Sequence, residues 1–403
     1  MKRTHICFIR LIYVKRMNDR MEILYRGSVL EKVRWIVLNL IGRLNMFLED
    51  IVLRGYIRLL PLLLLISCGT KQVEYPDNVF FYSQFPQEKE LKGEIIELDS
   101  IFFRYPFRVR VEGDKVIVMD LHGIDYYAHL FQYPSFRYLS SFGRRGDSPA
   151  EMLSIENIRF YNHNIWTLDA NKRELIRLGF SSSDDLLLRD EVVTLGEDIL
   201  RPLDFAIYND TSFIIPDYSG DSRLCWVNRN GISMSKIGTI PSVKKKALQN
   251  ARPALAQAWR SFLDYNSHNN VLAMVTQLGE VLEVYNLKDS TYVVRIGENG
   301  EPEFKVADGY GIPTGIMGFS DVQVTDSAIY TVFHGTSFKD IAQQSGRLPD
   351  GGKYIYVFDL DGEPRCKYVL DHYVCGISVN ETTKMIIATD VNSDQPIIKY
   401  HFK

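Results

Sequence analysis

The sequence lacks a marked excess of charge of either sign. Its 403 residues include 47 Lys and Arg against 50 Asp and Glu, which gives a formal net charge of -3 at pH 7. Proteins that bind nucleic acid carry strongly basic surfaces, and a balanced chain generates no such field. The composition therefore predicts no nucleic-acid partner.

Cysteine is also scarce, with five residues in the whole chain. Cys7 lies in a predicted leader and Cys68 in a predicted anchor, which leaves Cys225, Cys366 and Cys375. Three scattered thiols do not form a disulfide framework. Cys366 and Cys375 are close enough in sequence to pair across a hairpin in an oxidising compartment, but buried free thiols are the favoured interpretation.

No apolar run is long enough for a membrane-spanning helix. The longest, residues 59–66, belongs to a stretch of about ten residues, half of the ~20 that a helix needs to cross a bilayer. Arg54 and Arg58 precede it, and Ser67 and Cys68 follow it. This order resembles a lipoprotein signal peptide ending in a lipobox. We expect Cys68 to be lipidated and to anchor the protein to a membrane; the alternative is a core segment beside an incidental cysteine.

About fifty residues precede this signal, whereas signal peptides normally stand at the N-terminus. The favoured explanation is a start codon assigned too far upstream, with Met46 or a position near Leu53 as the true start. The alternative keeps these residues as a cytoplasmic segment. Residues 1–67 are accordingly interpreted as a leader and residues 68–92 as a tether.

Helical periodicity is rare after residue 93, where the sequence alternates between polar and apolar residues. The chain has 23 Tyr and 22 Phe, which favour strands. A strand, a tight turn and a second strand recur six times, at intervals of roughly 45 to 60 residues. The copies are 107–111 with 115–120, 158–161 with 165–169, 203–207 with 212–215, 261–265 with 271–275, 321–324 with 328–332, and 376–379 with 384–388.

Each interval suits a four-stranded antiparallel blade, and six blades can close a ring. The sequence therefore predicts an all-β protein, a six-bladed β-propeller over residues 93–403. A ring needs a strand from the other end of the chain to complete its last blade, and residues 93–98 are the candidate. A pair of β-sandwiches is the alternative, but sandwiches lack this regular recurrence.

Two segments resemble a known family. Residues 141–152, SFGRRGDSPAEM, resemble the Gly-Arg-Gly-Pro-Gly-Glu-Phe segment of the TolB-like six-bladed propellers found in Bacteroidetes lipoproteins. Residues 356–364 resemble a strand and the turn that follows it in members of that family. The chain departs from it at Asp147 and Ser148. The resemblance implies the propeller fold and an envelope location, and it implies no reaction.

The expected location is the outer membrane. The residues after Cys68, including Lys71 and Glu74, do not form the acidic cluster often seen in surface-exported Bacteroidetes lipoproteins. We therefore expect the periplasmic face and, for the propeller, a monomer.

One helical insertion is predicted near residues 243–260. Apolar residues recur there at helical spacing, although Pro253 should break or kink a helix. They are Leu248, Ala251, Leu255, Ala258 and Trp259. An insertion between blades lies on a rim of the ring, so Trp259 and Arg260 are the candidate ligand-binding residues. The alternative is that Trp259 is a packing residue.

No catalytic, cofactor-binding or metal-ligating residue is predicted. The eight histidines lack the i, i+4 spacing of a zinc site, and no Gly-x-Ser-x-Gly motif is present. The first hypothesis is a membrane-anchored binding scaffold for a protein, peptide or glycan. The alternative is a propeller lyase, hydrolase or lactonase with a channel metal, which an inward ring of Asp, Asn, His or Glu would favour. The inner strands are interpreted as mostly Val, Ile and Phe.

Overall fold

The structure is a computed structural model that describes residues 75–98, 101–180, 187–243, 248–344 and 348–403, with a few helical positions between 33 and 40. Apart from those positions, the predicted leader lies outside the described residues, and so does Cys68. No helix among the described residues is long and apolar enough to cross a membrane.

The propeller is built from six sheets arranged as blades, each with four antiparallel strands. Three short strands precede the first blade: β1 (Val79–Phe81), β2 (Glu88–Leu91) and β3 (Glu94–Ile96). Blade 1 contains β4 (Pro106–Glu112), β5 (Lys115–Asp120), β6 (Tyr126–Gln132) and β7 (Arg137–Arg144). Blade 2 contains β8 (Ile155–Tyr161), β9 (Asn164–Asp169), β10 (Glu174–Phe180) and β11 (Leu187–Thr194). Blade 3 contains β12 (Ala206–Asn209), β13 (Ser212–Pro216), β14 (Leu224–Asn228) and β15 (Ser233–Ile237).

The second half of the ring repeats this order. Blade 4 contains β16 (Ser261–Asn266), β17 (Val271–Thr276), β18 (Val281–Asn286) and β19 (Thr291–Ile296). A separate hairpin follows, β20 (Phe304–Ala307) and β21 (Tyr310–Pro313). Blade 5 contains β22 (Phe319–Val324), β23 (Ile329–Phe333), β24 (Gly352–Phe358) and β25 (Pro364–Val374). Blade 6 contains β26 (Gly376–Asn380), β27 (Met385–Thr389) and β28 (Ile397–His401), and β3 is its fourth strand.

The six predicted strand pairs are therefore the first two strands of the six blades, and the propeller prediction is confirmed. Local turn chemistry explains why they form hairpins. Between β8 and β9, both Asn162 and His163 have positive φ, 49° and 61°. Two such residues make the turn whose twist matches a two-residue hairpin, and Asn tolerates that conformation well.

The hydrophobic core lies between neighbouring blades. One cluster joins Ile117, Met119 and Leu130 of blade 1 to Ile158 and Ile165 of blade 2, all almost fully buried. Each such side chain contributes roughly 1.5–3 kcal/mol when removed from water. Because this packing repeats around the ring, the sheets are held face to face and the inner strands surround a central channel.

The segment 75–98, here called the belt, runs along the outer edges of three blades. Its strand β1 pairs in parallel with β19 of blade 4, and β2 pairs in parallel with β25 of blade 5. Strand β3 pairs antiparallel with β28 and closes the ring. The predicted closing strand is confirmed. The interpretation of residues 68–92 as a tether differs from the structure, because residues 75–92 contribute two blade-edge strands.

Within the described part of the predicted helical insertion near residues 243–260, two short helical elements are present. A 3-10 turn (Gln249–Ala251) leads into helix α1 (Arg252–Ala258). Pro253 lies in the first turn of α1. Backbone N–H groups have no partner there in any helix, so proline starts α1 and does not kink it. A second short helix, α2 (Phe338–Gln343), follows β23, with the Ser337 side chain accepting a hydrogen bond from the Asp340 backbone N–H at its start.

The three cysteines within the described residues, Cys225, Cys366 and Cys375, are buried free thiols. Cys366 and Cys375 are not bonded to each other in this structure.

Candidate functional site

Charged side chains fill the central channel. Alternate residues of each inner strand point to opposite faces, so Val109 and Ile158 pack in the core while their neighbours face the axis. The six axial charges are here called the channel cluster. They are Arg108, Arg110, Arg159, Asp204, Asp264 and Asp321.

The three aspartates join successive inner strands. Asp204 precedes β12 and accepts a hydrogen bond from the Leu263 backbone N–H of blade 4 at 2.9 Å. Asp264 of blade 4 accepts one from Val324 of blade 5 at 2.8 Å. Asp321 of blade 5 accepts one from Ile377 of blade 6 at 2.9 Å. An aspartate at or near the inner strand of each blade therefore fastens blades 3 to 6 in sequence.

The three arginines complete this network. Arg110 donates both terminal nitrogens to the two oxygens of Asp321 at 2.9 Å, and Arg108 contacts the same carboxylate at 2.5 Å. Arg159 contacts both Asp204 and Asp264. Burial alone would raise the pKa of Asp321, but the two guanidinium groups hold that pKa below its usual range. The three positive and three negative charges offset one another.

The interpretation of the inner strands as mostly Val, Ile and Phe is therefore wrong at the positions that face the axis. These residues were missed because a strand with alternating polar residues suggests a solvent-exposed face, whereas here the second face borders the channel. The sequence did contain a pattern that could have predicted them. An aspartate recurs at Asp204, Asp264 and Asp321, at intervals close to the blade repeat.

A cavity of about 320 Å³, here called the rim cavity, opens where the inner strands begin. Its apolar lining includes Phe107, Phe262, Phe319 and Met317. The rings of Phe107 and Phe262 each lie within 4.7 Å of the guanidinium carbon of Arg108. The channel cluster therefore lies directly behind the aromatic wall of this cavity.

A few polar groups also line the rim cavity. The Tyr105 hydroxyl donates to Asp350 at 2.5 Å. Burial lowers the pKa of His334 to about 4, and its Nε2 has no hydrogen-bond partner among the described residues. Burial raises the pKa of the Cys375 thiol well above its ordinary value. At neutral pH the imidazole is neutral and the thiol protonated, so neither group carries charge.

A second cavity of about 510 Å³, here called the side cavity, shares Gln257 and Arg260 with the rim cavity. Glu156, Asn171 and Tyr218 are among its other lining residues. Arg260 therefore borders both spaces, on the short segment between α1 and β16.

The two sequence-predicted site residues are placed differently. Arg260 lines both cavities, whereas Trp259 is fully buried in a core cluster with Leu255 and Val281 and lines neither. Trp259 is thus a packing residue in the structure. Ligand binding by Arg260 stays a prediction. The other rim-cavity residues, from several blades, share no sequence motif that would have revealed them.

A third cavity, of about 370 Å³, lies at the opposite end of the channel and is lined by Arg110, Arg159 and Asp264 among others. Its walls are mainly polar, and these three side chains are already paired within the channel cluster. Among the described residues, no group of three or more His, Cys, Asp or Glu side chains is arranged to hold a metal ion.

Two proteins from Bacteroides have solved structures with the same architecture as this chain. A Bacteroides fragilis protein described as exported shares 10% identity with this chain at a TM-score of 0.51, covering 80% of this chain and 98% of its own. A member of the DUF4221 family from Bacteroides vulgatus also shares 10% identity, at a TM-score of 0.50, covering 78% of this chain and 98% of its own. These likenesses show the fold. No protein of curated function matches the chain significantly.

The profile of the family described as TolB-like 6-blade propeller-like matches residues 84–382, which is most of the chain and nearly all of the ring. The six blades and their closing strand agree with that description. This chain belongs to the TolB-like six-bladed propeller family.

Proposed function

We propose that this protein is a lipid-anchored envelope protein that binds a ligand in the rim cavity without transforming it. The rim cavity carries this proposal: it combines an aromatic wall with a few convergent polar groups, the usual character of a small-molecule or side-chain site. The lipobox-like sequence at Cys68 and the similarity to a Bacteroides protein described as exported support the location.

Two observations support binding over catalysis. The axial carboxylates have their oxygens engaged by arginines and backbone N–H groups, so they serve the ring. In the rim cavity, the raised pKa of Cys375 keeps its thiol protonated, and the thiolate is the nucleophilic form. His334, with a pKa of about 4, is a weak base at neutral pH.

The proposal predicts that an uncharged aromatic probe binds in the rim cavity. N-phenyl-1-naphthylamine, whose fluorescence rises in apolar surroundings, should bind the native propeller with one saturable site. Met317→Trp places a bulky ring on the cavity wall and should weaken this binding at least tenfold. Met234 is 53% exposed on the outer strand of blade 3, so Met234→Trp is the matched control and should leave binding unchanged.

A fluorescence titration of the three proteins tests whether the probe binds in the rim cavity. Thermal melts show that each protein is folded. Absence of saturable binding to the native protein, or equal binding by the Met317→Trp protein, would overturn the proposal.

A further inference from the structure

Arg260 differs from the other arginines near the axis. Arg108, Arg110 and Arg159 pair with aspartates, and the fully buried Arg223 pairs with Glu283 at 2.6 Å. The Arg260 guanidinium, by contrast, has no hydrogen bond or ion pair with any described residue, and its Nε is buried without a partner. A buried donor without a partner is destabilising, so the guanidinium retains unused hydrogen-bonding capacity.

Two acids line the cavities beside Arg260, Glu156 and Asp350, and neither forms an ion pair with it. Glu156 lines the side cavity with Arg260, yet it makes no ion pair with it and accepts a hydrogen bond from Ser154 at 2.8 Å. Burial raises the pKa of Glu156, although the Ser154 hydrogen bond and the charge of Arg260 act in the opposite direction. Asp350 lines the rim cavity and is engaged by Tyr105. A guanidinium in this setting is available to an anion from outside.

The surroundings of Arg260 define the rest of the ligand. The rim cavity offers the aromatic wall of Phe107, Phe262 and Phe319, which suits a ring or a branched aliphatic group. The unpartnered Nε2 of His334 is a neutral hydrogen-bonding group in the same space. One planar guanidinium makes two-point contact with a carboxylate and balances its single charge, whereas it balances only half the charge of a phosphate dianion.

We propose that the rim cavity binds a monocarboxylate with an apolar body, with the carboxylate on Arg260 and the body against the aromatic wall. This rests on the proposed function and specifies its ligand class. Two sources present the same chemistry: a free organic acid and the C-terminal carboxylate of a peptide ending in an apolar residue.

The test compares 3-phenylpropionate with 3-phenylpropionamide, which has the same ring and no charge. In calorimetric titrations of the native protein, the acid should bind at least tenfold more tightly than the amide. In Arg260→Gln this preference should fall to about one, while amide affinity stays within twofold. The control is Arg365→Gln, because Arg365 is exposed and, among the described residues, pairs only with Asp359; it should behave like the native protein.

Equal binding of acid and amide by the native protein, or an acid preference that survives in Arg260→Gln, would overturn the carboxylate assignment. If the amide and N-phenyl-1-naphthylamine bind and Met317→Trp removes both, the proposed function stands even when the assignment fails. If neither neutral probe binds, both proposals fail. Thermal melts establish that Arg260→Gln is folded.

A peptide arm separates the two sources. Gly-Gly-Phe with a free C-terminus is compared with its C-terminal amide in the native and Arg260→Gln proteins. Binding of the free peptide as tight as that of 3-phenylpropionate, and lost in Arg260→Gln, assigns a polypeptide C-terminus. Binding of 3-phenylpropionate alone assigns a small organic acid.

Discussion

His334 shows how burial sets the chemistry of a single residue in the rim cavity. Burial lowers the pKa of its imidazole to about 4, although the charge of nearby Asp350 acts in the opposite direction. In the unfolded chain a histidine has a pKa of about 6.5. The unfolded chain therefore binds a proton between pH 6.5 and 4 that the folded protein excludes.

This difference predicts acid sensitivity. The full stability contribution of neutral His334 is present above pH 6.5 and is lost as the pH falls towards 4, with a slope of at most about 1.4 kcal/mol per pH unit. In His334→Gln the free energy of unfolding should depend less steeply on pH over this window. Urea titrations at pH 7.5, 6.0 and 5.0 measure it. The exposed His268 provides the control, and a slope unchanged in His334→Gln but altered in His268→Gln would contradict the assignment.

At the level of elements, the inner strands are joined by side chains as well as by apolar packing. Each of the three axial aspartates accepts a hydrogen bond from a backbone N–H of the next blade. Arg110 of blade 1 donates to the Ile377 carbonyl of blade 6 at 2.8 Å, which links the first blade to the last. In blade 6, Ser378 accepts the Val111 backbone N–H at 3.1 Å. Each blade position is therefore fixed by directional bonds, which apolar packing alone would not supply.

Asp321→Asn tests this role. The change leaves Arg108 and Arg110 buried without a counter-charge, and breaking one side of a buried ion pair costs about 3–5 kcal/mol. Asp359→Asn breaks an Asp–Arg pair in which Arg365 is largely exposed, and it should cost at most about 1 kcal/mol. Urea unfolding of the two variants gives both values. Similar losses in the two proteins would show that the channel cluster does not hold the blades.

For the whole molecule, the decisive contact is the one that closes the ring. Strand β3 comes from the start of the propeller and completes blade 6 beside β28, with Glu94 opposite Lys399. Their side chains form an ion pair at 2.8 Å, with Glu94 largely exposed. Covalent closure at this point would therefore disturb little packing.

The double variant Glu94→Cys with Lys399→Cys tests ring closure directly. A disulfide here would span about three quarters of the chain, and in the chain-entropy model it should raise the free energy of unfolding by about 6 kcal/mol. The reduced protein is its own control, since loss of an exposed ion pair costs at most about 1 kcal/mol. Urea unfolding with and without reductant measures the difference. Failure of the disulfide to form, or equal midpoints, would argue against this closure.

The fold was predictable because its signals are local. Alternation and turn residues such as Asn162 define hairpins within a few residues, and their recurrence gives the blade number. The rim cavity was not predictable, because Tyr105, Arg260, His334 and Cys375 come from distant loops that meet only when the ring closes. Arg260 was identified from the helical insertion, but the same reasoning could not separate it from Trp259, since both are adjacent to α1.

The belt also determines when the molecule can finish folding. Leu98 donates to Gln395, 297 residues away, and the side chain of Lys89 reaches the carbonyl of Lys403, 314 residues away. A chain made from its N-terminus thus produces β1 to β3 first and their partner strands in blades 4 to 6 last. Contacts of such separation form slowly, because the intervening chain must be ordered before they are made. Until then these three strands keep unpaired edges, so the nascent chain has a prolonged period in which protection from aggregation matters.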